Sequence, residues 1–145
     1  MNVLLSIKPE FVEKIFSKEK RYEYRKVIFK QKVEKVIIYS TMPEGRIVGE
    51  FQIEEILCGE PEKIWEATND FSGISYGFFQ EYFKSKEEAY AIKIGYLKRY
   101  EDPIDPKTLN YSFTAPQSFF YVDDNYEKRG IPSDALDNLY VGSIF

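Results

Sequence analysis

Apolar residues recur with two different periods along the chain, and the period predicts the type of each element. Residues 2–7 form a short, almost wholly apolar run of the kind found in buried strands. Pro9 follows, a residue favoured at the first position of a helix, and the apolar residues of segment 11–16 fall on one helical stripe. The pattern therefore predicts a strand and then a helix that ends near Ser17.

The rest of the chain alternates between strand and helix patterns in the same way. Further strands are predicted at 21–28, 36–39, 46–57, 89–100 and 118–122, and further helices at 61–67 and 75–83. Gly49 suggests a bulge, and residues 102–106, which include two prolines, are expected to break regular structure. This arrangement predicts an α+β fold, in which a small closed or partly closed sheet avoids long exposed edges.

The length of 145 residues predicts one domain with a sizeable core. Residues 1–122 are assigned to this domain, and the more polar residues 123–145 to a C-terminal extension. Four apolar residues of the extension predict either a short docking helix or a frayed tail: Leu136, Leu139, Tyr140 and Ile144.

The segment after the first helix carries the most informative pattern in the chain. Arg21, Glu23 and Arg25 alternate with Tyr22 and Tyr24. In a strand of period two, the three charged side chains lie on one face and the two rings on the other. Because burying unpaired charge is costly, the charged face is expected either to be solvated or to line a polar cleft.

Two absences restrict the possible chemistry. The chain has no histidine and one cysteine, Cys58. An internal disulfide, a Ser-His-Asp triad, a Cys-His pair and a conventional zinc or haem site are therefore excluded. We predict no metal and no cofactor, so catalysis would depend on Lys, Asp, Glu, Tyr, Ser or Thr.

Cysteine usage and hydropathy also suggest a compartment. A lone cysteine suits a reducing cytoplasm, and no apolar run reaches the roughly 18 residues that a membrane span needs. The N-terminal residues lack the basic region and cleavage site of a signal peptide. We therefore expect a cytoplasmic protein without a membrane partner.

The charge of the chain is unevenly distributed. The net charge is −4, yet residues 8–35 hold ten Lys or Arg against five Asp or Glu. A basic patch on an acidic body is typical of electrostatic focusing on one polyanion. The alternative is a solvated, lysine-rich helix and strand edge.

An ordered set of short motifs resembles the ASCH domain, a branch of the PUA-like superfamily. The first motif is Leu4-Leu5-Ser6-Ile7-Lys8-Pro9, and Ile15-Phe16-Ser17-x-x-Lys20-x-x-Glu23-x-Arg25 follows it. The later ones are Ile37-Ile38-Tyr39-Ser40, Gly49-Glu50-Phe51, Phe71-Ser72-Gly73-Ile74, Tyr82-Phe83, Ala89-Tyr90-Ala91-Ile92 and Ala115-Pro116-Gln117-Ser118-Phe119. Together they resemble the small prokaryotic and phage-borne ASCH proteins often called predicted transcriptional regulators.

The resemblance implies a small PUA-like β-barrel of five to six mixed strands with two to three helices packed outside. It also implies a cleft beside the Lys-x-x-Glu-x-Arg strand that holds RNA or a nucleobase-containing ligand. The turn before this motif usually carries glycine in the family, where this chain has Lys18. A non-glycine residue in a left-handed turn costs roughly 1 kcal/mol, so the turn is either built differently or strained.

Six residues are the candidate ligand contacts: Lys8, Lys20, Glu23, Arg25, Ser40 and Thr41. Arg25 suits a phosphate or a base edge, and Glu23 can accept from an exocyclic amine or hold Arg25 in place. Lys8 and Lys20 would supply point charges, and the two hydroxyl residues would hydrogen-bond a ligand. The alternative is that Glu23 and Arg25 form a structural ion pair between strand and helix.

Three functions remain open at this stage. The leading one is a module that binds RNA, single-stranded nucleic acid or an unpaired or modified base, with a role in regulation. The second is an enzyme. In a ribonuclease, Glu23 would act as base while Lys20 and Arg25 stabilise the phosphate. The third is a protein-interaction module, and the oligomeric state is not predicted.

An amidohydrolase that acts on acetylated cytidine is less consistent with the residues. In ASCH relatives with that activity a lysine and a threonine of this motif are proposed to act. The lysine matches Lys20, but Glu23 stands at the threonine position. A glutamate cannot simply replace a hydroxyl nucleophile, because its acyl product would be a mixed anhydride.

Overall fold

The structure, a computed structural model, describes residues 1–110 and 113–123. Within these ranges the chain forms six strands and three α-helices. In chain order they are β1 (Asn2–Ile7), α1 (Pro9–Phe16), β2 (Tyr22–Arg25), β3 (Lys35–Ser40), β4 (Arg46–Gly59), α2 (Pro61–Thr68), α3 (Tyr76–Tyr82), β5 (Ala89–Ile104) and β6 (Phe119–Val122). None of these helices is both long enough and apolar enough to cross a membrane.

All six strands belong to one mixed sheet with the order β2-β5-β4-β3-β1-β6. The pair β1 and β3 is parallel, and the other neighbouring pairs are antiparallel. The sheet curls into a half-barrel, so that Arg25 of the edge strand β2 reaches Ser6 of β1 and Ser118 beside β6. The predicted α+β class, the mixed strands and the number of helices are confirmed.

The first strand is buried on both faces, which explains its continuous apolar run. Val3, Leu5 and Ile7 pack in the core beneath α1, and Leu4 packs on the opposite face against Phe120. Each fully buried side chain of this kind contributes about 2 kcal/mol to stability. The position of β1 inside the sheet, between β3 and β6, agrees with this composition.

A second layer forms where α2 and α3 pack against the outer face of β2 and β5. Tyr24 lies at its centre, with Phe79 at a ring-centroid distance of 5.1 Å. Its hydroxyl is 2.7 Å from the hydroxyl of Thr68 on α2. The tyrosine rings thus lie on the face opposite the charges, as the alternation predicted, and this face packs in the core.

Two predicted boundaries are wrong. The charged strand ends at Arg25 and not near residue 28, because its partner strand β5 begins at Ala89, opposite Gly59 of β4, and Arg25 pairs with Tyr90. Strand β5 continues to Ile104, so the predicted break in segment 102–106 comes at Asp105 and not at residue 102. An irregularity in the β4–β5 register makes this possible. Pro103 lies between Arg99 and Ile104, which pair with Gly49 and Ile47 of β4, so the sheet needs no backbone N–H donor at Pro103.

The turn between α1 and β2 has the strained conformation that the sequence left open. Lys18 has φ +68, in the left-handed region that favours glycine. The predicted bulge near Gly49 is also present, as register shifts on β4. The helix considered for residues 136–144 lies outside the described residues.

Candidate functional site

The Lys-x-x-Glu-x-Arg segment brings three charged side chains into the protein interior. Glu23 pairs with Ile92 of β5, whose side chain belongs to the core beneath α1, and Arg25 lies two residues further along the same face. Lys20 precedes β2 and donates its backbone N–H to Lys14 O at the end of α1. All three residues are at most 1% exposed.

Glu23 and Arg25 form a buried ion pair. Arg25 Nη2 lies 2.6 Å from Glu23 Oε2 and also donates to Ser6 O at 3.1 Å. Arg25 Nη1 donates to Ser118 Oγ at 3.4 Å. The guanidinium therefore bridges the two edges of the sheet. This is the structural role that was the alternative for Glu23 and Arg25, but the ion pair lies within β2 and not between a strand and a helix.

Lys20 has a different environment from Arg25. Its Nζ donates to Ser72 O at 2.9 Å, lies 3.9 Å from Glu23 Oε1, and sits 4.7 Å from the centre of the Tyr24 ring. Burial lowers the pKa of Lys20 from 10.5 to about 8, although the Glu23 carboxylate partly opposes the shift. An amine with this pKa can give up or accept a proton near neutral pH.

The second oxygen of Glu23 is poorly satisfied. Glu23 Oε1 is buried, and the described residues give it no hydrogen-bond partner; the ammonium of Lys20 at 3.9 Å is beyond hydrogen-bonding distance. Buried acceptors left in this state are rare in native proteins. A perturbed lysine beside an under-satisfied carboxylate is typical of functional sites.

Residues 71–75, which we call the cover loop, lie over Lys20. Three backbone contacts hold the loop: Lys20 Nζ to Ser72 O, Lys14 Nζ to Gly73 O at 3.0 Å, and the Arg21 backbone N–H to Phe71 O at 2.8 Å. The Arg21 guanidinium also lies 4.0 Å from the centre of the Phe71 ring. Because the lysine contacts are made to backbone carbonyls, ligand oxygens can replace them chemically.

Among the described residues, no hydrogen bond or ion pair joins the side chains of the remaining predicted contacts to this cluster. Lys8 is exposed at the start of α1. Ser40 ends β3 beside Ile7 and is fully buried, and its hydroxyl has no hydrogen-bond partner in the described part of the chain. Thr41 is half-buried and donates its backbone N–H to Ile7 O.

Two groups in the cluster were not predicted as site residues. They are the hydroxyl of Ser118, which accepts from Arg25, and the carbonyl of Ser72, which accepts from Lys20. Both lie far from the charged segment in sequence, and the signal that could have found them is their place in the motifs Phe71-Ser72-Gly73-Ile74 and Ala115-Pro116-Gln117-Ser118-Phe119. Among residues 1–110 and 113–123, no group of three His, Cys, Asp or Glu side chains is arranged to hold a metal ion.

A curled mixed sheet with a lysine, a glutamate and an arginine buried where its edges meet defines a small PUA-like domain. The sequence model of the ASCH domain matches residues 5–98, and the chain belongs to that family. The match spans β1 to most of β5 and includes all six predicted contact residues.

Similar proteins include both isolated domains and longer chains. An ASCH domain-containing ribonuclease of Zymomonas mobilis is 28% identical over 126 residues, which is 82% of each protein. The crystal structure of ASCH from Zymomonas mobilis superposes with a TM-score of 0.80, at 23% identity, over 99% of this chain and 96% of that one. This likeness concerns the fold.

Other relatives are much longer than this chain. ATP synthase subunit alpha of Ureaplasma parvum is 31% identical over 121 residues, which is 83% of this chain and 15% of that protein. The large ribosomal subunit protein uL22 of the same organism is 28% identical over 121 residues, 83% of this chain and 39% of that protein. The chain thus spans less than half the length of these relatives.

Proposed function

We propose that this protein binds RNA at the Lys20–Glu23–Arg25 cluster and cleaves the bound strand there. The observation that carries the proposal is the ammonium of Lys20, whose pKa is lowered to about 8, lying 3.9 Å from an under-satisfied oxygen of Glu23. A purely structural ion pair between Glu23 and Arg25 does not require a third buried charge. The similar ribonuclease of Zymomonas mobilis supports RNA as the substrate.

The roles of the three residues follow from their contacts. Glu23 takes the proton of a ribose 2′-hydroxyl, and the 2′-oxygen attacks the adjacent phosphorus. As this P–O bond forms, the bond to the 5′-oxygen breaks, and Lys20 donates its proton to the departing oxygen. The products are a 2′,3′-cyclic phosphate and a 5′-hydroxyl.

Arg25 acts as a positioning residue in this scheme. Its guanidinium donates hydrogen bonds to Glu23, Ser6 O and Ser118 Oγ. It therefore holds the carboxylate in one orientation and fixes β2 against β1. The described residues enclose the cluster, so RNA reaches it only when the cover loop moves. The backbone carbonyls that Lys20 and Lys14 now contact are then exchanged for phosphate oxygens.

A second candidate is a binding module without cleavage, which was the leading prediction from the sequence. The 2.6 Å ion pair favours it, because a carboxylate that arginine holds in one orientation suits recognition of an exocyclic base amine. A regulatory role and a cytoplasmic location remain predictions.

The test compares RNA cleavage and RNA binding in matched variants. Lys20→Met and Glu23→Gln remove the proposed acid and base. Lys93→Met and Glu54→Gln are the controls, since Lys93 Nζ and Glu54 Oε2 form a 2.8 Å ion pair on the surface. Each purified protein is incubated with a labelled single-stranded RNA, and cleavage is followed on gels while binding is followed by fluorescence anisotropy.

The outcomes separate the candidates. Cleavage that is lost in both cluster variants and retained in both controls supports the ribonuclease. Salt-dependent binding without cleavage by the wild type supports the binding module. Equal cleavage by all variants indicates a contaminating nuclease, and absence of RNA binding by the wild type overturns both candidates.

A further inference from the structure

A surface pocket lies next to the buried cluster, between the end of α1 and β5. Its volume is about 280 Å³, its apolar lining is formed by Ile15, Ile94 and Leu97, and Lys18 and Arg21 provide its exposed charges. Lys20 also lines the pocket, although its ammonium contacts Ser72 O. We call this the α1–β5 pocket.

The charges of the α1–β5 pocket are all positive, although the protein as a whole carries a net charge of −4. Neither Lys18 nor Arg21 forms an ion pair with a carboxylate among the described residues. Arg21 donates Nε to Lys18 O at 3.2 Å and stacks on Phe71, an arrangement that fixes its guanidinium at the pocket rim. Two uncompensated cations above an apolar floor suit a group with a phosphate and a flat ring.

The backbone conformation of Lys18 also indicates that the α1–β5 pocket binds a ligand. Its φ of +68 lies in the region where glycine is favoured and a side chain is strained. The cation is therefore present at a position where the fold itself prefers no side chain. Local departures of this kind are expected at functional positions.

An exposed aromatic ring lies next to the lining residues in the sequence. Tyr96 stands between Gly95 and Leu97 on β5 and is 71% exposed, the largest exposure of any tyrosine or phenylalanine among the described residues. No side-chain hydrogen bond or ring contact joins Tyr96 to another described residue. Exposed rings beside basic side chains are the usual stacking platforms for unpaired bases.

We propose that the α1–β5 pocket binds an unpaired nucleotide of an RNA strand, next to the nucleotide that enters the Lys20–Glu23–Arg25 cluster. Lys18 and Arg21 contact its phosphate, its base lies on the apolar floor, and Tyr96 stacks on that base or the next. The inference rests on the proposed RNA binding and assigns residues that the cleavage scheme does not use. Lys20, which lines the pocket and belongs to the cluster, joins the two sites.

The test measures the binding of a fluorescein-labelled single-stranded RNA of about twelve nucleotides, within the length that such sites bind. The pocket variants are Lys18→Gly combined with Arg21→Gln, and Tyr96→Ala. The control is Lys63→Gln combined with Lys107→Gln, which removes the same charge at two exposed lysines outside the pocket. Lys18→Gly also relieves the left-handed strain, so the thermal stability of the double pocket variant is not expected to fall through that change.

We expect the double pocket variant to lose about tenfold or more in RNA affinity and the magnitude of its salt slope to fall by about 0.7, as when one phosphate of a single strand is no longer neutralised. Tyr96→Ala is expected to lose about tenfold in affinity with an unchanged salt slope. If wild type binds RNA and the pocket variants match the control, the pocket inference is wrong while the proposed function stands. If wild type binds only single-stranded DNA or a protein, or no RNA, both are wrong.

Discussion

Gly73 of the cover loop lies directly against the side chain of Lys20. A Cβ atom added at Gly73 would lie 2.5 Å from Lys20 Cβ and 2.8 Å from Lys20 Cγ, closer than side-chain carbons approach one another. Gly73 also has φ +69, which other residues adopt only with strain. The cover over the charged cluster therefore depends on glycine for two independent reasons.

Gly73→Ala is expected to destabilise the protein and to loosen the cover loop. The left-handed conformation alone costs about 1–2 kcal/mol for alanine, and the contact with Lys20 adds to that cost. Urea unfolding measures the loss of stability. Acylation of Lys20 by an amine-reactive reagent, followed by mass spectrometry, should become faster as the loop moves.

Gly77→Ala is the matched control for this prediction. Gly77 lies in α3, and an added Cβ would meet no atom within 4 Å. Alanine in a helix is favoured over glycine by about 1 kcal/mol, so this variant should be more stable than wild type. If both alanine variants behave alike, Gly73 has no special contact with Lys20.

Glu23→Gln is expected to cost about 3 kcal/mol, because it leaves the buried Arg25 without its carboxylate. The comparison is Glu54→Gln, which breaks the exposed pair with Lys93 and should hardly change the unfolding midpoint. Chemical denaturation of the two variants beside wild type gives the difference. A small loss for Glu23→Gln would mean that Arg25 is compensated by other groups and that the 2.6 Å ion pair is not a main structural link.

Lys20 should make stability rise with pH over a defined range. The pKa of Lys20 is about 8 in the folded protein and 10.5 in the unfolded chain, so above pH 8 the unfolded chain binds more protons than the folded one. Unfolding free energy then increases with pH through this group until about pH 10.5. From pH 7.5 to 9.5 the increase is about 2 kcal/mol.

The measurement is the stability of wild type minus that of Lys20→Met, obtained by urea unfolding at each pH. The subtraction removes the opposite effect of Tyr24 and Tyr82, whose pKa values burial raises to about 12 and which lower stability above pH 10. A difference that stays constant from pH 7.5 to 9.5 would show that Lys20 keeps an ordinary pKa. The proposed acid role also requires cleavage to slow as Lys20 loses its proton above pH 8.

The sequence was sufficient to predict most of the fold, because the main elements carry strong local patterns. Strand β1 is an uninterrupted apolar run, and α1 combines Pro9 with a stripe of buried apolar residues. The boundaries that were wrong depend on partners elsewhere in the chain. Strand β2 stops where β5 begins to pair, and Pro103 is accommodated by an irregularity in the ladder with β4.

The site was predictable in its residues but not in its environment. The alternation of side chains in a strand placed Glu23 and Arg25 on one face. It also placed Arg21 on that face, but Arg21 is exposed. That residue precedes β2, and its backbone N–H is bound to the cover loop, so the alternation does not extend to it. Burial of the three charges depends on residues 71–75 and on the edge beside β6, which no pattern near the motif encodes.

Ser118 and Ser40 should respond differently to replacement by alanine, although both are buried. Ser118 Oγ accepts from Arg25 Nη1 at 3.4 Å, so Ser118→Ala removes an acceptor from a buried charge and should cost about 1 kcal/mol. Ser40 Oγ has no hydrogen-bond partner among the described residues, so Ser40→Ala should leave stability unchanged or slightly higher. Thermal unfolding of the two variants beside wild type measures the contrast. Ser40 is one of the predicted RNA contacts, and if it makes that contact, Ser40→Ala weakens RNA binding without lowering stability. If Ser40→Ala instead lowers stability as much as Ser118→Ala does, the Ser40 hydroxyl is part of the structural framework.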